Sequence, residues 1–214
     1  MRVIAIDGPA GSGKSTVAKA LAGRLGLQYL DTGAMYRSVT FAVLQRGIDP
    51  ADGPVVGEVA ESVQIDLGVD AVLVDGTDAT VAIRGPEVSR TVSIVAANPL
   101  VRTVMVRRQR AWVAARNGGV LEGRDIGTVV FPDAELKVYL TADPAVRAQR
   151  RAQEVSDLDY DTVAADLARR DALDQGREAS PLTEAEDAFV LDTSGLTIGE
   201  ILDVIQERLG SGHD

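Results

Sequence analysis

The sequence predicts an α/β domain in three layers: a five-stranded parallel sheet, helices on both of its faces, and a small antiparallel β insert. Three observations lead there. The apolar run over residues 3–7 passes directly into a glycine-rich loop and then a helical period, the strand–loop–helix order of a parallel unit. Short apolar runs and helical periods then alternate along most of the chain. Between residues 63 and 84 the texture changes to brief runs separated by Gly and Asp, the pattern of tight antiparallel strands.

Taken in order, residues 3–7 read as a buried parallel strand, apolar up to the closing acid. The next helix starts at Gly13 or Lys14; its stripe is Val17, Ala18, Leu21, Ala22 and Leu25, and Gly26 closes it. Residues 27–30 form a short second strand. Asp31, Thr32 and Gly33 offer a cap for a helix carrying Met35, Val39, Ala42 and Val43 to about Arg46. In the insert, Val63, Ile65 and Leu67 alternate, and residues 72–74 and 81–83 supply two more strands. Helical periodicity returns over 88–97, then from Pro99, a favourable first helical residue, through Val101, Val104, Met105 and Trp112 to about Arg116. Residues 119–122 and 136–140 are strands on either side of a loop holding Gly123, Arg124 and Asp125. Asp143 and Pro144 start an Arg-rich helix, and the polar stretch 154–161 interrupts before another helix over about 162–174. Residues 188–191 make the last strand; Ile198, Ile201, Leu202 and Ile205 mark the final helix. No repeat or long linker divides the chain. One domain is predicted, with a core over about 1–60, 86–146 and 181–214 and inserts at about 61–85 and 147–180.

Composition narrows the chemistry. At 214 residues and 45% hydrophobic, the chain can bury a sizeable core. The start of the chain has too few apolar residues for a secretion signal and no stretch is long enough to span a membrane, so a cytoplasmic protein without a membrane partner is expected. The absence of cysteine excludes disulfides and thiolate metal sites. The single histidine, His213, is the penultimate residue, which leaves Lys, Arg, Asp, Glu and hydroxyls to do any catalysis. A net charge of -10 argues against a nucleic-acid partner. All but three of the 22 basic residues are nevertheless Arg, the better bidentate phosphate ligand, and several of them cluster. A GC-rich coding sequence would also favour Arg.

Residues 8–16, GPAGSGKST, fit the P-loop pattern in full. Backbone N–H groups of Gly8, Pro9's neighbours Ala10 and Gly11, then Ser12 and Gly13 would surround a nucleotide's phosphates. Lys14 would reach the outer phosphates, and Ser15, followed by Thr16, would offer a hydroxyl to Mg²⁺. A switch GTPase needs a guanine-reading Asn-Lys-x-Asp motif, which is missing. A regulatory ATPase remains open, with Glu122 at a strand end as its acid; so does a kinase acting on another nucleotide or metabolite. A small-molecule kinase binds two anions and must cancel the charge developing between them, which calls for arginines beyond the P-loop lysine.

Those arginines are present. Arg37 follows Asp31, Thr32 and Tyr36 at a helix start, where the alternatives are a plain N-cap and a solvated face. Arg147, Arg150 and Arg151 fall within about one helical turn and can converge on one phosphate, or else form a basic surface. Arg107, Arg108 and Arg110 cannot share one face. Asp125 can be read as an ordinary loop acid paired with Arg124.

Five stretches together resemble the bacterial cytidylate kinases: residues 8–16, residues 31–37 (DTGAMYR), residues 107–110 (RRQR), residues 123–133 (GRDIGTVVFPD), and the series Arg170, Asp174, Arg177. The resemblance runs nearly the whole chain in order, and GRDIGTVVFPD is its most distinctive piece. It implies a nucleoside-monophosphate-kinase-like fold in which 61–85 is a nucleotide-binding insert and 147–180 a mobile helical lid. It implies transfer of the γ-phosphate of ATP, with Mg²⁺, to CMP or dCMP by a monomer. It further implies that Thr32, Arg37 and Arg124 hold the acceptor phosphate region, with Tyr36 beside them, and that Ser93, Arg102 and Asp125 read cytosine. Arg170, Asp174 and Arg177 would contact the sugar and neighbouring phosphates, and Arg147, Arg150 and Arg151 would close from the lid.

Overall fold

A computed structural model of the protein describes residues 1–68, 70–154 and 159–211. His213 and residues 155–158 of the polar stretch lie outside them. The chain forms two compact units: Met1–Leu30 with Val113–Gly176 and the chain from Ser180 onward, and Asp31–Trp112 with Arg177–Ala179.

The first unit is built on a five-stranded parallel sheet in the order β2-β6-β1-β7-β8. Its strands are β1 (Arg2–Asp7), β2 (Tyr29–Asp31), β6 (Gly118–Glu122), β7 (Leu136–Thr141) and β8 (Phe189–Asp192). Central β1 runs parallel to β6, with Ile6 beside Glu122, and to β7, with Asp7 beside Tyr139. It is buried from residue 3 to residue 7, the environment its unbroken apolar run predicts. Helices α1 (Lys14–Leu25) and α8 (Ile198–Ser211) cover one face, where Ile4, Ile6, Val138 and Leu140 meet Val17, Leu21, Ile201 and Ile205. Thirteen buried residues form that cluster, enough to hold the strand ends and the loop after β1 rigid. Helices α6 (Pro144–Glu154) and α7 (Tyr160–Gln175) pair through Ala148, Val163 and Leu167, which close over Ala10 of the glycine loop. The start of α7 is set by Asp159, whose carboxylate accepts from the Thr162 amide at 2.9 Å.

The second unit contains α2 (Thr32–Gln45), packed against α3 (Gly53–Ser62) and α4 (Pro86–Ala97), together with most of α5 (Pro99–Arg116). It also carries the antiparallel sheet β3 (Ile65–Leu67), β4 (Val72–Val74) and β5 (Thr77–Asp78). Three details differ from the sequence reading. Helix α3 was not foreseen: its Asp52-Gly53-Pro54 start resembles a turn, yet Asp52 caps the Val55 amide and Pro54 occupies the first turn. The third insert strand is not residues 81–83 but Thr77–Asp78. Asp75 and Gly76, with φ of 49° and 78°, make the tight hairpin that returns the chain, and Ala82–Arg84 becomes a 3₁₀ turn. The second strand of the large sheet likewise begins at Tyr29 rather than residue 27. Among the described residues, no helix is long and apolar enough to cross a membrane.

Candidate active site

The glycine loop takes its shape from the sheet beneath it. Gly8, at φ 147°, passes so near β7 that a Cβ there would lie 2.0 Å from the Leu140 carbonyl oxygen. Gly13, at φ 87°, adopts the left-handed conformation that turns the chain into α1, leaving the helix N-terminus open toward an anion. Ser12 and Lys14 are buried at 0% and 6% exposure. The Lys14 ammonium curls back over the loop, donating to the Pro9 carbonyl at 2.6 Å and to Ser12 Oγ at 3.4 Å. Burial, and then the Arg124 guanidinium, push its pKa down to about 7, against the opposing pull of Glu122, Asp7 and Asp171. Desolvation and a neighbouring cation thus outweigh three carboxylates at this lysine.

At the end of β6, Glu122 accepts from Ser15 Oγ at 2.9 Å and from the Tyr29 hydroxyl. A hydroxyl and a carboxylate side by side are hard oxygen ligands suited to Mg²⁺ or to its waters. Among the described residues no group of three or more His, Cys, Asp or Glu could hold a metal ion.

The distinctive stretch after β6 folds as a tight turn with its own anchors. The Gly123 amide donates to the Ile6 carbonyl at 3.0 Å. Beyond Arg124 and Asp125, the chain enters a π-helical turn, Ile126–Val130. The Asp7 carboxylate accepts from the Ile126 amide at 2.9 Å and from the Gly127 amide at 2.8 Å. Burial raises the Asp7 pKa to about 6 despite those two hydrogen bonds. Arg124 Nε donates to Asp174 of α7 at 2.9 Å. Burial alone would lower the Arg124 pKa, but Asp174, Asp171 and Glu122 outweigh it and hold the group above its ordinary value. Arg170 lies close enough for burial and the Arg124 charge to bring its pKa down to about 10, and its Nε has no hydrogen-bond partner among the described residues.

Of the three clustered arginines of α6, Arg147 donates to the Ala10 carbonyl at 3.0 Å and pairs with Asp171, which in turn accepts from the Ala10 amide at 3.1 Å. Arg150 donates to the Thr193 hydroxyl at 3.0 Å and carbonyl at 2.7 Å, just past β8. The Thr193 hydroxyl also lies 3.2 Å from the Ser12 carbonyl, within donating distance. Arg151 is near enough to Arg170 to disfavour its charge. The three therefore divide: two engage the loop and its border, and Arg151 lies toward Arg170.

In the second unit, Asp31 caps α2 through the Ala34 amide at 2.8 Å, and Thr32 is buried behind it. Arg37 donates to the Ile83 carbonyl at 2.8 Å and to Ser89 Oγ at 2.9 Å, so it is no solvated face. The Arg102 guanidinium stands 5.6 Å from the Tyr36 ring centre and donates to the Ala96 carbonyl at 3.3 Å; both residues are buried, as is Ser93. Arg177 is buried too. Arg107 instead pairs with Glu61, and Arg108 donates to the Glu61 and Val63 carbonyls, which ties α5 to the end of α3.

Sequence reasoning passed over Asp7, Tyr29, Asp171 and Thr193. Asp7 had a local signal, an acid ending a buried strand one residue before the glycine loop. Tyr29, Asp171 and Thr193 had none, because their partners are separated from them by 93, 161 and 181 residues.

Fold and loop together define the class: an α/β protein with a phosphate-binding P-loop. A gluconokinase from Sinorhizobium meliloti 1021 superposes with a TM-score of 0.52 at 15% identity, covering 98% of this chain and 92% of that one. The protein TT1252 from Thermus thermophilus gives 0.51 at 19%, covering 97% of each chain. At such identities the likeness concerns the fold alone. Sequence similarity goes further. The family model described as cytidylate kinase matches residues 4–210. A cytidylate kinase of Mycobacterium leprae (strain Br4923) is 48% identical over 98% of this chain and 97% of its own length, and one of Corynebacterium glutamicum is 49% identical over 94% and 91%. A bifunctional pantoate ligase/cytidylate kinase of Synechococcus sp. (strain WH7803) is 48% identical over 96% of this chain, which spans only 44% of that protein's length. The chain belongs to the cytidylate kinase family.

Proposed function

We propose that this protein transfers the γ-phosphate of ATP to CMP or dCMP, giving ADP and CDP or dCDP. The observation that carries the reading is the double attachment of the GRD turn to β1, through Gly123 to Ile6 and through Ile126 and Gly127 to Asp7. It fastens the turn that carries Arg124 and Asp125 to the strand that leads into the donor loop, which supports assigning the first to phosphate and the second to the base.

On the donor side, the backbone amides of residues 8–16 other than Pro9, together with Lys14, hold the triphosphate, and Lys14 leaves the Pro9 carbonyl to do so. Ser15 and Glu122, together with the nucleotide phosphates, would hold Mg²⁺, which would neutralise charge on the phosphate oxygens. On the acceptor side we assign the phosphate to Arg124, Arg37 and Thr32, with Tyr36, and the sugar and adjoining phosphates to Arg170, Asp174 and Arg177. We assign the base to Asp125, Arg102 and Ser93. Cytosine presents an amine donor where uracil presents a carbonyl, so a buried carboxylate accepts from one and repels the other, worth about 1–3 kcal/mol. No general base is needed: the second pKa of a phosphate monoester is about 6, so the acceptor oxygen is ionised at neutral pH. Catalysis then reduces to alignment and charge cancellation by Lys14, Arg124, Arg147, Arg150 and Arg151, with α6 and α7 as the lid that excludes water. One chain suffices in this scheme, and its substrates place it in the cytoplasm.

The test is ADP release in a coupled assay across CMP, dCMP, UMP, AMP and dTMP. Preference for the two cytidine nucleotides is expected. A clear preference for another acceptor, or ATP turnover that CMP does not stimulate, would overturn the proposal.

A further inference from the structure

Between Gly123 and Gly127 the chain carries the two residues assigned to the acceptor, and it is fastened at both ends to one short piece of β1. The Gly123 amide is held by the Ile6 carbonyl at 3.0 Å, and the Ile126 and Gly127 amides by the two oxygens of Asp7 at 2.9 and 2.8 Å. Ile126 and Gly127 open the π-helical turn, so their N–H groups have no partner within it. The turn's later amides, Val129 and Val130, close onto the Asp125 carbonyl at 2.9 and 3.2 Å. Asp125 itself is buried, and its backbone, at φ -147° and ψ 25°, belongs to no regular element. The local bonds to the Asp125 carbonyl close the turn from its far side, and its opening amides are held by a carboxylate from 119 residues earlier.

We infer that Asp7 is a positioning residue for the acceptor: its carboxylate caps the turn after Asp125 and so fixes where Arg124 and Asp125 present their side chains. The inference rests on the assignment of those two residues made above. A carboxylate is needed because each oxygen must accept one N–H, and charge-assisted hydrogen bonds to amides are the stronger kind. Asparagine has the same shape but one acceptor; its amide nitrogen would face an N–H and leave it unsatisfied. Gly8, the first residue of the donor loop, directly follows Asp7 and is confined by the Leu140 carbonyl. That close approach fixes the backbone at the end of β1, so the Asp7 carboxylate is held where the turn's two amides meet it.

Asp7→Asn tests this. The ratio of kcat/KM for CMP to that for UMP is expected to fall about tenfold through a higher KM for CMP, because a misplaced contact weakens recognition of the correct base most. The dissociation constant of an ATP analogue, measured without acceptor, should change less than about threefold. A merely structural role would depress both acceptors equally, so an unchanged ratio overturns the inference. Asp125→Asn, assayed beside it, separates the two levels of argument. Loss of the ratio there but not in Asp7→Asn overturns the positioning role alone; retention of the ratio in Asp125→Asn overturns the base-reading role and the inference with it. Should Asp7→Asn not fold, amide exchange in the wild-type protein with CMP bound decides. Ile126 and Gly127 are expected to exchange as slowly as β1, and exchange as fast as that of Gly195 overturns the proposal.

Discussion

Lys14 is the group whose titration ties the geometry to binding most directly. Without nucleotide its pKa is about 7, lowered first by burial and then by Arg124. A bound triphosphate would set negative charge against Nζ and restore the ammonium, so binding should draw a proton from the buffer. The sign follows from linkage. A base whose pKa is higher in the complex makes binding strongest where it is already charged, below about pH 7, and affinity falls as pH rises through 7 toward the pKa of the complex. With a free pKa near 7, about half the lysines are neutral at pH 7 and about nine-tenths at pH 8, and those fractions are the protons taken up. Over that range affinity should fall by up to about tenfold per pH unit. The assay is isothermal titration calorimetry of a non-hydrolysable ATP analogue with excess Mg²⁺, in buffers of different ionisation enthalpy at pH 7 and 8. The slope of heat against buffer enthalpy is the uptake. Uptake below about 0.2 proton at pH 8, or equal uptake in Lys14→Met, would refute the reasoning.

Two stability predictions accompany it. Gly8→Ala puts a Cβ 2.0 Å from a backbone oxygen at φ 147°, and a loss on the order of 3 kcal/mol should lower Tm by about 10 °C in a thermal scan. A fall under about 2 °C would mean the loop relaxes freely there. Asp171→Ala strands the Arg147 guanidinium and the Ala10 amide in a buried place, and chemical denaturation should show about 3 kcal/mol less stability. A loss under about 0.5 kcal/mol would show that the pair contributes little.

What the sequence reveals divides by range. The strand–loop–helix opening was legible because its signals are adjacent: an apolar run, glycines at the tight approach, an apolar stripe at helical spacing. The insert was legible as β but misplaced at its third strand. The apolar triplet at 81–83 is too short for periodicity to decide, and the Asp75-Gly76 hairpin signal was the better guide. Helix α3 was missed because Gly53 and Gly57 dilute its pattern, and Gly57 is small for a tertiary reason: a Cβ there would come within 2.8 Å of Leu100. In the site, residue types were legible and pairings were not. The clustered arginines were visible, but that Arg147 grips Ala10, Arg150 grips Thr193 and Arg107 merely pairs with Glu61 depends on contacts 43 to 137 residues apart.

The same pairings explain how a chain of net charge -10 prepares a site for anions. Acids hold the arginines in place: Asp174 orients Arg124 and Asp171 orients Arg147, while two cations near Arg124 pay in lowered pKa, Lys14 to about 7 and Arg170 to about 10. Repulsion is thus built in before any substrate arrives, and an incoming phosphate relieves it. Arg124 is the shared source, so removing it should act at a distance. In Arg124→Met the Lys14 pKa should rise, because burial remains but the neighbouring guanidinium is gone, and a larger share of the free protein already carries the ammonium at pH 7.5. Proton uptake on binding the ATP analogue should therefore fall below the wild-type value at that pH, even though Arg124 is assigned to the acceptor rather than to ATP. Unchanged uptake would show that Arg124 does not set the lysine, and that the repulsion between the two cations has no part in binding.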